Sequence, residues 1–138
     1  VLIEYSAAQM YALVENVAAY PEFLPWCGGT EILSIEGEVT RAAIIIDFRG
    51  IKQRFSTENR ADPPQLIEMS LVEGPFRQLD GTWHFKALGD AACKVEFRLH
   101  YEFSSKLLEK IVGPVFHFIA STFVDAFVKR ARQLYGER

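Results

Sequence analysis

The stretch CKVEFRLHYEF, residues 93–103, alternates apolar and polar side chains without a break. Cys93, Val95, Phe97, Leu99, Tyr101 and Phe103 fall on one face, and Lys94, Glu96, Arg98, His100 and Glu102 on the other. A period of two with the charges on one side predicts an antiparallel strand with one wet face and one buried face. Beyond Ser104-Ser105 the period changes. Leu108, Val112, Val115, Ile119, Phe123 and Phe127 recur at helical spacing, with Lys110, Ser121, Asp125 and Arg132 opposite, up to Tyr135. A helix of that length spans about 45 Å at 1.5 Å per residue. Gly113-Pro114 lies inside it, and an interior proline predicts a kink.

Working back from residue 93, weaker versions of the same alternation occur at EILSIEG, TRAAIIIDF, IKQRFSTEN, LIEMSLV and TWHFKAL. Glu36-Gly37, Arg49-Gly50, Asp62-Pro63-Pro64, Gly74-Pro75, Asp80-Gly81 and Gly89-Asp90 read as the turns between them. Strands joined by such short turns form an antiparallel meander, since parallel pairing needs long crossovers. The sheet needs a cover for its dry face, and the long helix supplies it. A sheet curled round that helix encloses a tunnel wherever the inward side chains do not fill it.

The first thirty residues add a strand, VLIEY, and a helix. Ser6 and Gln9 have the spacing of a capping box, and Met10, Leu13, Val14 and Val17 form one apolar face. Tyr20-Pro21 ends that helix, Pro21 suits the first position of a second short one, and Gly28-Gly29 releases the chain into the sheet. Between them lies YPEFLPWC, residues 20–27, with Tyr20, Phe23 and Trp26 in eight positions. Such a segment is either a plug at the edge of the core or a lip that admits something greasy. The amphipathic rings of Tyr and Trp suit the half-wet lip.

The 138 residues fit one domain, with 49% apolar and 24% charged side chains and no repeats or low-complexity runs. A net charge of −3 argues against broad electrostatic binding to nucleic acid, DNA included. Cys27 and Cys93 lie far apart, without a metal-ligand spacing or a disulfide framework, as in a reduced cytoplasmic protein. No charged leader opens the chain and no run of about twenty apolar residues is expected, so any membrane contact is peripheral, at the inner face.

Chemistry is sparse. His84, His100 and His117 all fall on outward faces by alternation or helical projection, and there is no nucleophile elbow, P-loop or HExxH. If Phe55 points inward, so do Gln53, Thr57 and Asn59, which could orient a carbonyl- or hydroxyl-bearing ligand; alternatively a strand near an open edge exposes them. Arg49, Lys52, Arg54 and Arg60 form a basic set that suits lipid headgroups or RNA phosphate, or a plain solvated face. The residues point to no catalytic group and no metal.

YPEFLPWC after an amphipathic helix, GPFRQLDGTWHF in the middle and FVDAFVKRA near the end resemble the coenzyme Q-binding branch of the START-like, polyketide cyclase-related family, over nearly the whole chain. The resemblance implies an α+β helix-grip (START/Bet v 1-like) fold over residues 1–138. In it a curved antiparallel sheet wraps a long C-terminal helix around an internal hydrophobic cavity. It implies non-catalytic binding of ubiquinone or a similar isoprenoid lipid, held as ligand and not as cofactor, in support of respiration. Bacterial members also include ribosome association toxins, for which it implies binding the large ribosomal subunit and blocking subunit joining. Polyketide cyclase-type enzymes are a third branch. The implied cavity and mouth draw on Tyr20, Phe23, Leu24, Trp26, Phe48, Phe55, Phe76, Trp83, Phe97, Tyr101, Val115, Ile119, Phe123 and Phe127.

Overall fold

Alternation and turn chemistry produce the sheet the sequence predicts. The computed structural model describes residues 1–136. Its elements are β1 (Leu2–Ile3), α1 (Ala7–Glu15), a 3-10 helix (Val17–Glu22), β2 (Cys27–Glu36), β3 (Val39–Phe48), β4 (Ile51–Asp62), β5 (Leu66–Glu73), β6 (Phe76–Ala87), β7 (Cys93–Phe103) and α2 (Lys106–Tyr135). The strands form one antiparallel sheet in the order β1-β7-β6-β5-β4-β3-β2. Curved around α2, it makes a helix-grip fold of the α+β class, as expected.

Turn geometry fixes the registers. Arg49 (φ 51°) and Gly50 (φ 80°) both take the left-handed conformation that a two-residue hairpin loop requires, and β3 and β4 then pair from Phe48↔Ile51 to Val39↔Arg60. Asp80-Gly81 is a different case. Expected as a turn, it lies inside β6, opposite Ser70-Met69 on one side and His100-Leu99 on the other. A Cβ on Gly81 would stand 2.8 Å from Met69 Cε and 3.2 Å from the Arg98 carbonyl oxygen, so glycine is there for close packing.

The capping box forms, with Ser6 Oγ accepting from the Gln9 amide and Gln9 Oε1 from the Ser6 amide. Asn16 closes α1, and Pro21 lies inside the following 3-10 helix and not at its first position. A 3-10 turn tolerates this because the helix is short and few amide bonds are lost.

Helix α2 continues through Gly113-Pro114 to Tyr135. Val112, Val115, Phe116, Ile119, Phe127 and Ala131 are buried against the concave face. The helix contains an 18-residue stretch of mean hydropathy 1.7, so by length and composition it is apolar enough to cross a membrane. That corrects the expectation that no such run occurs; a third of the stretch, 33%, is buried inside the fold. Tyr135 at its end donates to the Gln9 carbonyl at 3.2 Å, and Tyr5 donates to the Gly136 carbonyl, tying α2 to the N-terminal segment.

Candidate functional site

Where α2 crosses the concave face, the rings leave a small internal space of about 60 Å³. Its wall is made by Val17 and Tyr20 from the 3-10 helix, Trp26 at the start of the sheet, Ile44, Phe55, Thr57, Asn59, Met69, Leu79, Phe97 and Leu99 from the strands, and Phe116, Ile119, Ala120 and Phe123 from α2. Six of the fourteen expected residues therefore line it: Tyr20, Trp26, Phe55, Phe97, Ile119 and Phe123. Leu24, Trp83 and Phe127 do not line it and are buried in the surrounding core. Trp83 is fully buried, with its ring 4.5 Å from Phe97, 5.6 Å from Phe123 and 5.3 Å from Phe127.

Phe76 and Tyr101 belong to a second ring cluster with Phe103 and Phe116, and Val115 is buried on the same stretch of α2. There the Tyr101 hydroxyl and His117 Nδ1 are hydrogen-bond partners, so the exposed His117 is engaged and not simply solvated. Burial pushes the Tyr101 hydroxyl pKa upward. Phe48 sits at the hairpin tip, stacked on Phe118 at 5.5 Å under the Arg49 guanidinium, and away from the cavity.

The aromatic segment at 20–27 is a plug. Tyr20, Leu24 and Trp26 are at most 4% exposed, which corrects the reading of them as a lip. Tyr20 donates to the Val14 carbonyl, and its burial pushes the hydroxyl pKa far up. Phe23 is half-buried, its ring 5.2 Å from Phe127 and 5.1 Å from the Arg130 guanidinium. Composition could not separate lip from plug, because the same amphipathic rings serve both once their polar atoms find main-chain partners.

The cavity adjoins the surface on another side. A surface cleft of about 250 Å³ shares Val17, Tyr20, Asn59 and Met69 with the cavity, so these four form the partition between the two spaces. Its outer walls come from Tyr11, Val14 and Glu15 of α1, Ile35, Gly37, Glu38 and Thr40 of the β2–β3 hairpin, and Ala61, Pro63 and Ile67. Burial pushes the Tyr11 hydroxyl upward, followed by the charges of Glu15, Glu38 and Asp62, so this rim is acidic.

Thr57 and Asn59 line the cavity, the inward of the two readings the strand left open, and Thr57 Oγ1 donates to Asn59 Oδ1 at 2.8 Å. Gln53 does not reach the cavity wall. The expected set lacked Val17, Ile44, Met69, Leu79, Leu99, Phe116 and Ala120; Leu79 shares the Trp83 face by alternation, but the supposed Asp80-Gly81 turn hid it. In the basic set, Arg54 is paired with Glu31 at 3.2 Å, and Arg60 and Lys52 sit opposite Glu68 and Asp47 in the register, which leaves Arg49 at the hairpin tip with Lys52 beside it. His84 and His100 are exposed, as expected. Among the described residues no group of His, Cys, Asp and Glu could hold a metal ion.

Residues 3–128 match the family described as polyketide cyclase / dehydrase and lipid transport. The chain belongs to this family. Within the polyketide cyclase / dehydrase and lipid transport family it is 47% identical, over 136 residues, to the ribosome association toxin RatA of Vibrio cholerae, covering 99% of this chain and 94% of that one. It is 28% identical to the mitochondrial coenzyme Q-binding protein COQ10 homolog B of Xenopus laevis, covering 99% of this chain and 58% of that protein. The solution structure of the 18 kDa protein CC1736 from Caulobacter crescentus superposes with a TM-score of 0.74 at 32% identity, covering 99% of this chain and 95% of that one.

Proposed function

We propose that this protein associates with the ribosome, binding the large subunit and blocking its joining with the small one, and that it acts in the cytoplasm. The observation that carries this reading is the 47% identity to the ribosome association toxin RatA, which spans helix α1, the whole sheet and α2 and is not confined to one motif. The surface offers a contact of suitable chemistry. Arg49 lies over the Phe48 and Phe118 rings at 4.8 and 4.9 Å, and Lys52 follows on the same hairpin. Cations beside aromatic faces suit phosphate and unstacked bases together. Co-sedimentation of the purified protein with isolated large subunits tests the reading. Wild type should comigrate and Arg49→Gln with Lys52→Gln should lose most of the bound fraction; a wild-type protein that stays at the top of the gradient would refute it.

A second reading rests on the cavity: an apolar ligand, ubiquinone or a similar isoprenoid lipid, taken up by peripheral contact with a membrane. Apolar walls with the Thr57–Asn59 pair among them support it, as does the kinship with the COQ10 homolog. The space of about 60 Å³ is smaller than the roughly 150 Å³ that admits a benzene ring, so uptake requires the partition at Tyr20 and Met69 to open into the cleft. Titration with ubiquinone should then quench Trp26 saturably; purely collisional quenching would end this reading. Cyclase-type catalysis gains no comparable support, because the only ionisable side chain on the cavity wall among the described residues is Tyr20, already bonded to Val14.

A further inference from the structure

β2 is the last strand of the sheet, and its outer edge has no neighbouring strand among the described residues. At the opposite end β1 covers part of β7, but nothing comparable lies beside residues 30–36, whose main-chain groups on that side have no partner among the described residues. Free edges are usually guarded by lysine, proline or brevity. β2 is ten residues long and has neither lysine nor proline; its register with β3 shifts between Ile32 and Ser34, which sets Ile32 and Ile35 on one face. It also exposes Ile32 (41%), Leu33 (44%) and Ile35 (68%), a cluster of large apolar side chains on one edge strand.

Arg41, opposite Ser34, is held by Glu58 at 3.1 Å, so the charge left at the hairpin end of this edge is acidic. Glu31 is taken up by Arg54 at 3.2 Å. At the other end stand Glu36 and Glu38, with Glu15 across the cleft that Ile35 and Glu38 line, and no lysine or arginine lines that cleft. We propose that the free edge of β2 docks an extended peptide segment carrying alternating apolar and basic residues, which adds a strand to the sheet, sets its apolar side chains on Ile32 and Ile35, and places its basic ones against Glu36 and Glu38. Main-chain bonds supply the pairing, and the acidic end selects the charge. A second copy of this chain fits poorly. A second β2 strand would bring the glutamates Glu31 and Glu36 and no lysine or arginine to that acidic end, and like charges across a ladder repel. The proposal is independent of the ribosome reading.

The test uses the whole protein and two synthetic probes, acetyl-Lys-Val-Lys-Val-Lys-Val-amide and the same peptide with Glu for Lys. The basic probe should shift the amide resonances of residues 30–36 saturably and slow their hydrogen exchange, while the acidic probe should bind at least about tenfold more weakly. Leu33→Lys with Ile35→Lys should abolish the basic probe's effect while the amide spectrum of β3 to β7 is retained. Glu36→Gln with Glu38→Gln should narrow the gap between the probes. Equal binding of both probes, shifts confined to residues outside β2, or no binding would each overturn the proposal. Concentration-dependent self-association lost in the Leu33→Lys variant would also overturn it, in favour of a second copy as the occupant.

Discussion

Thr57 Oγ1 donates to Asn59 Oδ1 across 2.8 Å, which pairs two polar side chains on one face of β4 inside an otherwise apolar wall. Pairing lets the strand bury Thr57 to 5% exposure without an orphaned hydroxyl. Thr57→Val leaves the Asn59 carbonyl without its donor and should cost about 1–3 kcal/mol, whereas Thr57→Val with Asn59→Leu should cost less than the sum of the single changes. A double-mutant cycle by denaturant melts checks this; strict additivity would mean the pair is not coupled.

Trp26 is 3% exposed and packs its ring 6.1 Å from Phe123. As part of a plug, Trp26→Ala should cost about 3–5 kcal/mol, the range for a large buried aromatic. Phe23→Ala, at a half-buried site beside Arg130, should cost about 1–2 kcal/mol. Equal and small losses at both positions would restore the lip.

Gly81 has no room for a side chain. Gly81→Ala should destabilise by about 1–3 kcal/mol through overpacking. Adding Met69→Leu should recover part of this, since Met69 Cε is the nearest obstacle at 2.8 Å, but not all, since the Arg98 carbonyl oxygen at 3.2 Å cannot withdraw. A neutral Gly81→Ala would place the glycine back among turn residues.

Alkaline pH should loosen the fold in a defined window. Burial pushes the Cys27 and Cys93 thiols up from their ordinary 9.0, partly opposed by the Gly29 contact and by the N-terminal ammonium respectively, and pushes the Tyr20 hydroxyl up from 10.0. The folded chain keeps these protons where the unfolded chain releases them. Their stabilisation is therefore complete below the unfolded values and declines as pH rises through them toward the folded ones. The denaturant midpoint should hold to about pH 8 and fall above about 9, and Cys27→Ala with Cys93→Ala should delay the fall to the tyrosine range. A midpoint unchanged to about pH 10.5 would contradict this.

Much of the fold was legible because each element repeats its own period. Residues 93–103 match β7 at both ends, and the 108–127 stripe is the face that α2 buries. The sequence misled where one residue type answers to two physical demands. Gly81 looked like a turn because glycine serves both close packing and positive φ. The rings at 20–27 looked like a rim because amphipathic side chains suit water or a main-chain partner equally well. The cleft beside the cavity could not be read at all, since α1 and the hairpin of β2 and β3 meet there only through the curvature of the sheet.

The ribosome reading is tested most directly by subunit joining itself. Purified small and large subunits are mixed at a magnesium concentration that favours association, and light scattering is followed as the protein is titrated in. The account predicts that joining is suppressed in proportion to added protein, with the protein recovered on the large subunit and with Arg49→Gln plus Lys52→Gln markedly weaker. Undiminished joining at a large molar excess of wild-type protein would contradict it.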